Sequence, residues 1–193
     1  MRSLAATALG LVAAGTLAAG CGSSGSASGG ATTTTSGATT TSGATSTSGS
    51  TPATAAVTLV TSGLPAVSNA KNMSSAPALS AGSAPAPTTL EAEDLVVGTG
   101  TAATDGATVK VQYLGANYAD GKAFDSSWSR GQPATFPLSG VIPGFKDAII
   151  GMKIGGRREV VIPPAQGYGP QGQPPTIQPN ETLVFVIDLL GVQ

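Results

Sequence analysis

The chain has 193 residues, with nine Lys and Arg, ten Asp and Glu, no His, and a formal net charge of −1 at pH 7. This balance excludes the strongly basic surface typical of nucleic-acid-binding proteins, and the lack of His excludes many familiar schemes of acid–base catalysis. The single cysteine, Cys21, excludes an internal disulfide. All ten acidic residues follow residue 90, so the sequence predicts one folded domain in the C-terminal part.

Residues 1–20 predict a targeting segment. One early positive charge, Arg2, precedes an apolar run and then small residues, as in a secretory signal. The run is mostly Ala, Gly and Thr, whereas a membrane-spanning helix needs about 20 strongly apolar residues. Residues 17–21, LAAGC, resemble a bacterial lipobox, in which the Cys is lipidated and becomes the first mature residue. We therefore predict a lipid anchor at Cys21, with ordinary signal cleavage as the alternative.

Residues 21–89 are predicted to be the anchor cysteine followed by a disordered tether. Ser, Thr, Gly, Ala and Pro dominate this segment, and such a composition has too little apolar surface to offset the entropy of ordering. The more apolar stretch 55–67 could pack against the domain but is not predicted to be structured. We expect the domain to be exported and held at the outer face of the cytoplasmic membrane or in the cell envelope, or secreted if it is not lipidated. O-linked sugars on the tether and an unmodified spacer both remain open.

From residue 90 to residue 193 the sequence predicts a β-rich domain. Apolar or alternating runs bounded by turn residues indicate strands, and five such runs occur: 95–98, 107–115, 134–138, 157–163 and 181–191. Pro137 assigns the third run to an edge or a bulge. The last run is almost continuously apolar, which is expected of a strand covered on both faces.

One short helix is predicted at residues 143–151. Pro143 stands where the first turn of a helix tolerates proline, and Gly151 stands where a helix ends. Phe145 and Ile149 are four residues apart and therefore share a face. One short helix against a five- or six-stranded antiparallel sheet is an α+β architecture.

Two segments have simple structural interpretations when taken alone. The loop 163–180 holds six prolines and no charge, and its Tyr168 reads most simply as a packing residue of a rigid surface loop. Arg157 and Arg158, with Glu159 beside them, could form a basic patch for acidic lipids. We expect them instead to be the solvated start of a strand.

Five blocks of this domain occur in a characteristic order: VQYLG, GKAFDSS, VIPGF, GGRREVVIPPAQGYG and LVFVIDLL. Their order and spacing resemble the FKBP-type peptidyl-prolyl cis–trans isomerases, over essentially all of residues 90–193. The resemblance implies an antiparallel sheet wrapped around a short helix, and an isomerase with no cofactor and no metal. Signal, tether and a single such domain also resemble the secreted lipoprotein members found in bacteria.

The resemblance also implies a site. The implied catalytic residues are Tyr113, Phe124, Asp125 and Tyr168. The implied substrate-binding residues are Arg130, Phe136, Val141, Ile142, Phe145, Ile177 and Phe185. Apolar members of this set would receive the proline ring, and the Tyr168 hydroxyl would hold a substrate carbonyl. Asp125 would orient the pocket through Tyr113 and Arg130.

Four positions depart from the pattern of the family. Phe145 stands where tryptophan is common, Ala134 where an aromatic residue is common, and Gln166 and Gln173 where bulkier side chains are common. Smaller side chains predict a wider or shallower pocket.

The implied reaction suits this set of residues. Rotation about an X–Pro bond crosses a barrier of about 18–20 kcal/mol without making or breaking a covalent bond, so neither a nucleophile nor a metal is required. We expect the partners to be proline-containing unfolded or secreted polypeptides, with macrolide binding as a further implied property, and we expect a monomer that binds no nucleic acid. The alternative function is a chaperone-like module that binds peptides in the same groove with weak or incidental catalysis.

Overall fold

The computed structural model describes residues 57–83 and 85–193. The predicted signal segment, Cys21 and the first part of the predicted tether lie outside these residues. Within the described part, no helix has the length and apolar character needed to cross a membrane.

The described chain forms one seven-stranded sheet, one two-stranded hairpin and one α-helix. In chain order the elements are β1 (Thr58–Leu59), β2 (Val67–Ser68), β3 (Ala78–Leu79), β4 (Glu91–Val96), β5 (Thr108–Asn117), β6 (Ala123–Ser126), β7 (Ala134–Pro137), α1 (Pro143–Ile149), β8 (Arg157–Ile162) and β9 (Leu183–Val192). The sheet order is β1-β4-β8-β9-β5-β6, with β7 also paired to β5, while β2 and β3 pair with each other.

The predicted α+β class is confirmed. Strands β4 to β9 pair antiparallel throughout, which gives the predicted six strands. Strand β1 adds a seventh, parallel to β4, so the sheet as a whole is mixed. Strand β6 was not predicted, because it is only four residues long and its register with β5 shifts at a bulge that interrupts simple alternation.

Helix α1 has the predicted position. Pro143 lies in its first turn, and Gly151 just beyond it adopts a φ of +83°, a left-handed conformation that glycine tolerates best. Phe145, Ala148 and Ile149 are fully buried. They pack into the main core, which lies between the helix and the inner face of the sheet.

The outer face of the sheet is covered by residues 57–83 and 85–88, which we call the strap. Here the structure differs from the disordered tether predicted up to residue 89. The strap buries Leu64, Leu79 and Ala86 against an apolar cluster on the outer face, and the backbone N–H groups of Thr58 and Val60 donate to carbonyls at the β4 edge. A few apolar residues and free strand-edge groups therefore order a segment whose composition alone indicates disorder.

Arg157 was expected to be solvated, but its side chain is fully buried beneath the strap. Its Nε donates to Asp188 Oδ1 at 2.5 Å and its Nη2 to Asp188 Oδ2 at 2.6 Å. Its Nη1 donates to the Asn69 carbonyl of the strap at 2.7 Å, and its Nη2 also donates to the Ser75 carbonyl at 3.4 Å. Arg158 is also buried, where it binds Asp94. The expectation of a solvated strand start was wrong because the strap, which is remote in sequence, covers Arg157. Arg158 is held instead by Asp94 and by the Ala148 carbonyl of α1.

Glu159 lies in the same buried strand, opposite Glu93 of β4 and Val186 of β9. Its side chain is 1% exposed, and its Oε1 has no hydrogen-bond partner. Burial, together with the charge of Glu93, raises the pKa of Glu159 to about 8. The folded protein therefore holds a proton here that an unfolded chain would release near pH 4.5.

We expect this proton to make stability fall as the pH rises. Between about pH 4.5 and pH 8 the unfolded state loses the Glu159 proton while the folded state keeps it, at about 1.4 kcal/mol per pKa unit of separation. Glu159→Gln should therefore unfold with a weaker dependence on pH and be more stable than the wild type above pH 8. Urea unfolding from about pH 5 to pH 9 measures this, with Glu91→Gln as the control. Parallel curves for Glu159→Gln and wild type would contradict the assignment.

Candidate active site

Three polar side chains form a closed hydrogen-bonded triangle at one edge of the sheet. The Tyr113 hydroxyl on β5 donates to Asp125 Oδ2 on β6. Arg130, in the 3-10 turn Trp128–Arg130 that follows β6, donates to Asp125 Oδ1 through Nη1 and to the Tyr113 hydroxyl at 2.8 Å through Nη2. Asp125 Oδ1 also accepts from the Ser126 backbone N–H at 2.8 Å. Both oxygens of Asp125 are thus bonded within the protein.

The electrostatics of the triangle keep both site tyrosines protonated. Burial, reinforced by the hydrogen bond to Asp125, raises the pKa of Tyr113 above its ordinary value of 10. Burial, with a smaller effect of the Asp125 charge, raises the pKa of Tyr168 to about 12. Arg130 also lies 5.4 Å from the centroid of the Tyr113 ring, within the range of a cation–π contact. Tyr113 and Tyr168 are therefore neutral hydrogen-bond donors at physiological pH.

Beside the triangle lies a cluster of edge-on aromatic rings. Phe145 of α1 is at its centre, with ring centroids 5.3 Å from Phe185, 6.1 Å from Tyr113 and 6.2 Å from Phe136. Phe124 meets Phe185 at 5.6 Å and an interplanar angle of 84°. Aromatic pairs prefer such tilted arrangements. The rings come from β5, β6, β7, β9 and α1, so the cluster depends on the whole inner face of the sheet.

Phe124 reaches this cluster because of the bulge in β6 and a glycine on β5. Asp125 pairs with Gly115 and Ala123 with Ala116, so Phe124 is the extra residue of the bulge. A Cβ on Gly115 would stand 2.7 Å from Phe185 and 2.8 Å from Phe124. Only glycine therefore lets the two rings meet across β5. Tyr113 of the VQYLG block was predicted as a site residue, whereas the role of Gly115, the last residue of the block, was not predicted.

The remaining implied residues divide by exposure. Tyr113, Val141, Ile142, Phe145, Ile177 and Phe185 are buried in the main core, against which Phe124, Phe136 and Tyr168 pack while partly exposed. Phe145, Ile177 and Phe185 have no exposed surface. They support the partly exposed rings from behind, and Phe124, Phe136 and Tyr168 offer the surface that a ligand can contact.

Ser127 is a second residue whose supporting role in the site was not predicted. It is fully buried, its Oγ accepts from the Tyr113 N–H at 2.8 Å, and its own N–H donates to the Tyr113 carbonyl at 3.0 Å. Its Oγ also donates to Gln112 Oε1. The available signal was the second of the two serines that follow the Phe124–Asp125 pair.

A cleft of about 570 Å³ is lined by Phe124 and by none of the three residues of the triangle. One wall is the turn from β5 to β6, with Asp120 and Lys122, and the other is the β8–β9 loop, with Pro175 and Thr176. Among residues 57–83 and 85–193, no group of three or more His, Cys, Asp and Glu side chains is placed to hold a metal ion. What the geometry provides is an apolar surface with fixed hydroxyl donors beside it.

This arrangement matches a known family. Residues 99–190 fit the family model described as FKBP-type peptidyl-prolyl cis-trans isomerase. The chain is 48% identical over 107 residues to a probable FK506-binding protein of Corynebacterium glutamicum. The match covers 55% of this chain and 90% of that relative. The chain belongs to the FKBP-type peptidyl-prolyl cis–trans isomerase family. Its residues 90–193 are accordingly called the FKBP domain below.

Other relatives agree with this assignment. The FK506-binding protein of Streptomyces anulatus is 44% identical to this chain over 109 residues, and the match covers 55% of this chain and 88% of that relative. The crystal structure of FkpA from Escherichia coli superposes with a TM-score of 0.52 and 45% identity, over 55% of this chain and 49% of FkpA. The common part is thus the FKBP domain alone, and the activity class of this domain is that of a peptidyl-prolyl isomerase.

We expect Tyr113→Phe to weaken the triangle without collapsing it. The variant loses the donor to Asp125 and the acceptor for Arg130, while the direct Arg130–Asp125 pair remains. Loss of a partly buried hydrogen-bonding hydroxyl should lower the free energy of unfolding by about 1–3 kcal/mol, as measured by urea denaturation. Tyr168→Phe is the control for the chemical change, since its hydroxyl is not part of the triangle. Unchanged stability of Tyr113→Phe would show that the hydroxyl is not needed to hold the triangle.

Proposed function

We propose that the FKBP domain accelerates X–Pro isomerisation in exported or cell-envelope proteins, and that its apolar pocket does so by binding the twisted amide. The observation that carries the proposal is that two partly exposed rings, Phe124 and Phe136, pack on the fully buried rings of Phe185 and Phe145. The partly exposed Tyr168 packs on the same core. Such a surface can desolvate a proline ring without rearrangement. Because its side chains are already in place, such a surface loses little conformational entropy when a ligand binds.

The chemistry follows from amide resonance. The planar amide is charge-separated and well solvated by water, whereas the twisted amide has lost resonance and has a less polar carbonyl. A dry apolar pocket therefore favours the twisted state over the planar ground state, which is differential binding of the transition state. To raise a rate of about 0.01 per second to about 100 per second requires about 5.4 kcal/mol, at 1.36 kcal/mol per tenfold.

The polar residues have distinct roles in this proposal. Tyr168 supplies a hydroxyl donor for a substrate carbonyl, and its raised pKa keeps the proton on the oxygen. Asp125 orients the pocket, because both of its oxygens already accept hydrogen bonds and a carboxylate would repel a carbonyl directly. Arg130 and Tyr113 hold Asp125 in place and neutralise its charge beside the apolar surface.

We further propose that the chain is exported and anchored by lipid at Cys21, with substrates among secreted or envelope polypeptides. The support is the sequence pattern of residues 1–21, which combines a signal-like run with a lipobox-like end. Macrolide binding is proposed on the names of the two FK506-binding relatives. The smaller Phe145 floor and Ala134 wall are expected to make that binding weaker than in members with bulkier residues there.

Isomerase assays on two variants test the pocket. Phe124→Ala should lower kcat/KM for a proline tetrapeptide about tenfold or more, since removal of a packed ring costs about 1.5–3 kcal/mol. Tyr168→Phe should lower it about two- to tenfold, the range expected for one hydrogen bond. Val97→Ala, a substitution at a residue that is 73% exposed, should retain full activity. Full activity in both pocket variants would remove the assignment.

A comparison of substrates separates catalysis from simple binding. An isomerase that acts through the pocket should turn over the tetrapeptide and an unfolded protein alike, and both activities should fall together in Phe124→Ala. A chaperone-like module that binds peptides in the same groove should instead suppress aggregation of the unfolded protein and turn over the tetrapeptide only weakly even in the wild type, and its suppression of aggregation should fall in Phe124→Ala.

Mass spectrometry of the mature N-terminus tests the anchor. We expect a diacylglycerol-modified Cys21 as the first residue, and we expect Cys21→Ala to release the protein from the membrane fraction. An unmodified N-terminus at another residue would establish ordinary signal cleavage instead.

A further inference from the structure

We propose that the strap positions catalytic residues. Through contacts between Gly82 and Tyr118 it holds the turn between β5 and β6 in place, and this turn determines where strand β6, with Phe124 and Asp125, lies. This inference rests on the isomerase function proposed above and adds residues to its machinery that lie outside the pocket.

Strand β6 is weakly held by the sheet alone. It lies at the sheet edge, so only β5 pairs with it. Three register pairs connect the two strands, and the bulge at Phe124 interrupts them. An edge strand with a bulge has few hydrogen bonds to resist displacement, and its position must therefore be set largely at its two ends.

One end of β6 is held within the domain. Ser127 exchanges hydrogen bonds with Tyr113 of β5, as described above, and Arg130 ties the following turn to Asp125. These contacts determine where β6 ends but not the direction in which it enters.

The other end of β6 is held by the strap. The turn from β5 to β6 closes with Asn117 N–H donating to the Lys122 carbonyl at 3.0 Å. Within this turn, the Tyr118 carbonyl accepts from the Gly82 N–H at 2.8 Å, and the Tyr118 hydroxyl donates to the Ser83 carbonyl at 2.7 Å. Tyr118 N–H also donates to the Thr182 carbonyl at 2.9 Å, next to the start of β9. Tyr118 thus joins strap, turn and sheet at one point.

Glycines show how close this contact is. A Cβ on Gly82 would stand 2.3–2.5 Å from three atoms of the Tyr118 ring. Gly121, with a φ of +67°, presents its Cα to the strap so closely that a Cβ would stand 2.7 Å from the Ser80 carbonyl carbon. Strap and turn therefore approach each other closely at Gly82 and at Gly121, and a displacement of the strap moves the turn.

The strap is in turn anchored across the whole sheet. Its first residues pair with β4 at the opposite edge, and its hairpin of β2 and β3 accepts hydrogen bonds from the buried Arg157. The clamp on β6 is thus fixed to elements that do not touch the pocket. Misplacement of catalytic groups by about 1 Å can cost about a hundredfold in rate, so a shift of β6 should be seen first in kcat.

Two strap variants of the full chain test the proposal. Tyr118→Phe removes the bond to Ser83, and Gly82→Ala pushes the ring from its place. Below the melting range we expect kcat for the tetrapeptide to fall about two- to fivefold in Tyr118→Phe and about tenfold in Gly82→Ala, with KM changed less than kcat. Trp128, the chain's single tryptophan, follows the end of β6 by two residues. The wavelength of its fluorescence emission should therefore shift in Gly82→Ala.

The control is Ile154→Ala, at a partly buried residue that packs on the main core and belongs neither to the strap nor to the site residues. It should lower the melting temperature while retaining kcat. Wild-type kcat in a folded Tyr118→Phe would overturn the clamp, as would losses no larger than those of Ile154→Ala. If Gly82→Ala fails to fold, Tyr118→Phe decides the question alone. A wild-type protein without isomerase activity would instead refute the proposed function.

Discussion

The site depends on the bonding of Asp125 to two partners from different elements. Tyr113 comes from the long central strand β5, and Arg130 comes from the turn after β6. Their joint bond to one carboxylate fixes β6 against β5 at the point where the bulge would otherwise let it move. The same bonds neutralise a charge that would be unfavourable beside the aromatic cluster. Apolar surface and fixed donors can then lie side by side, which is what a twisted amide requires.

The two faces of the sheet have different roles. On the inner face, α1 and the aromatic rings form a dry floor, and Gly115 leaves the space in which Phe124 and Phe185 meet. On the outer face, charged residues of β8 lie buried beneath the strap. Arg157 is fully paired there, whereas Glu159 is not, so the outer face contributes a pH-sensitive part of the stability. The reaction itself needs no titrating group in the physiological range, since the site tyrosines remain protonated.

Much of this domain could be predicted from the sequence where the signals are local. Pro143 and Gly151 bound the helix through their own backbone preferences, and the apolar runs that became β8 and β9 indicate covered strands. Contacts between segments that are distant in the chain could not be predicted from the sequence. The strap has a disordered composition, and it is ordered by the edge of β4 and by the Arg157 side chain, which belongs to a strand about eighty residues later in the sequence. For the same reason the buried arginines were expected in solvent, and the clamp at Tyr118 carries no motif of its own.

Strand β1 has a consequence for how the domain behaves among unfolded chains. The edge of a sheet presents free N–H and C=O groups, to which extended polypeptides can add as a further strand and so begin aggregation. The strap places β1, only two residues long, along the edge of β4. The chain thereby occupies part of the β4 edge with its own strand, and fewer backbone groups remain free there to pair with a second chain.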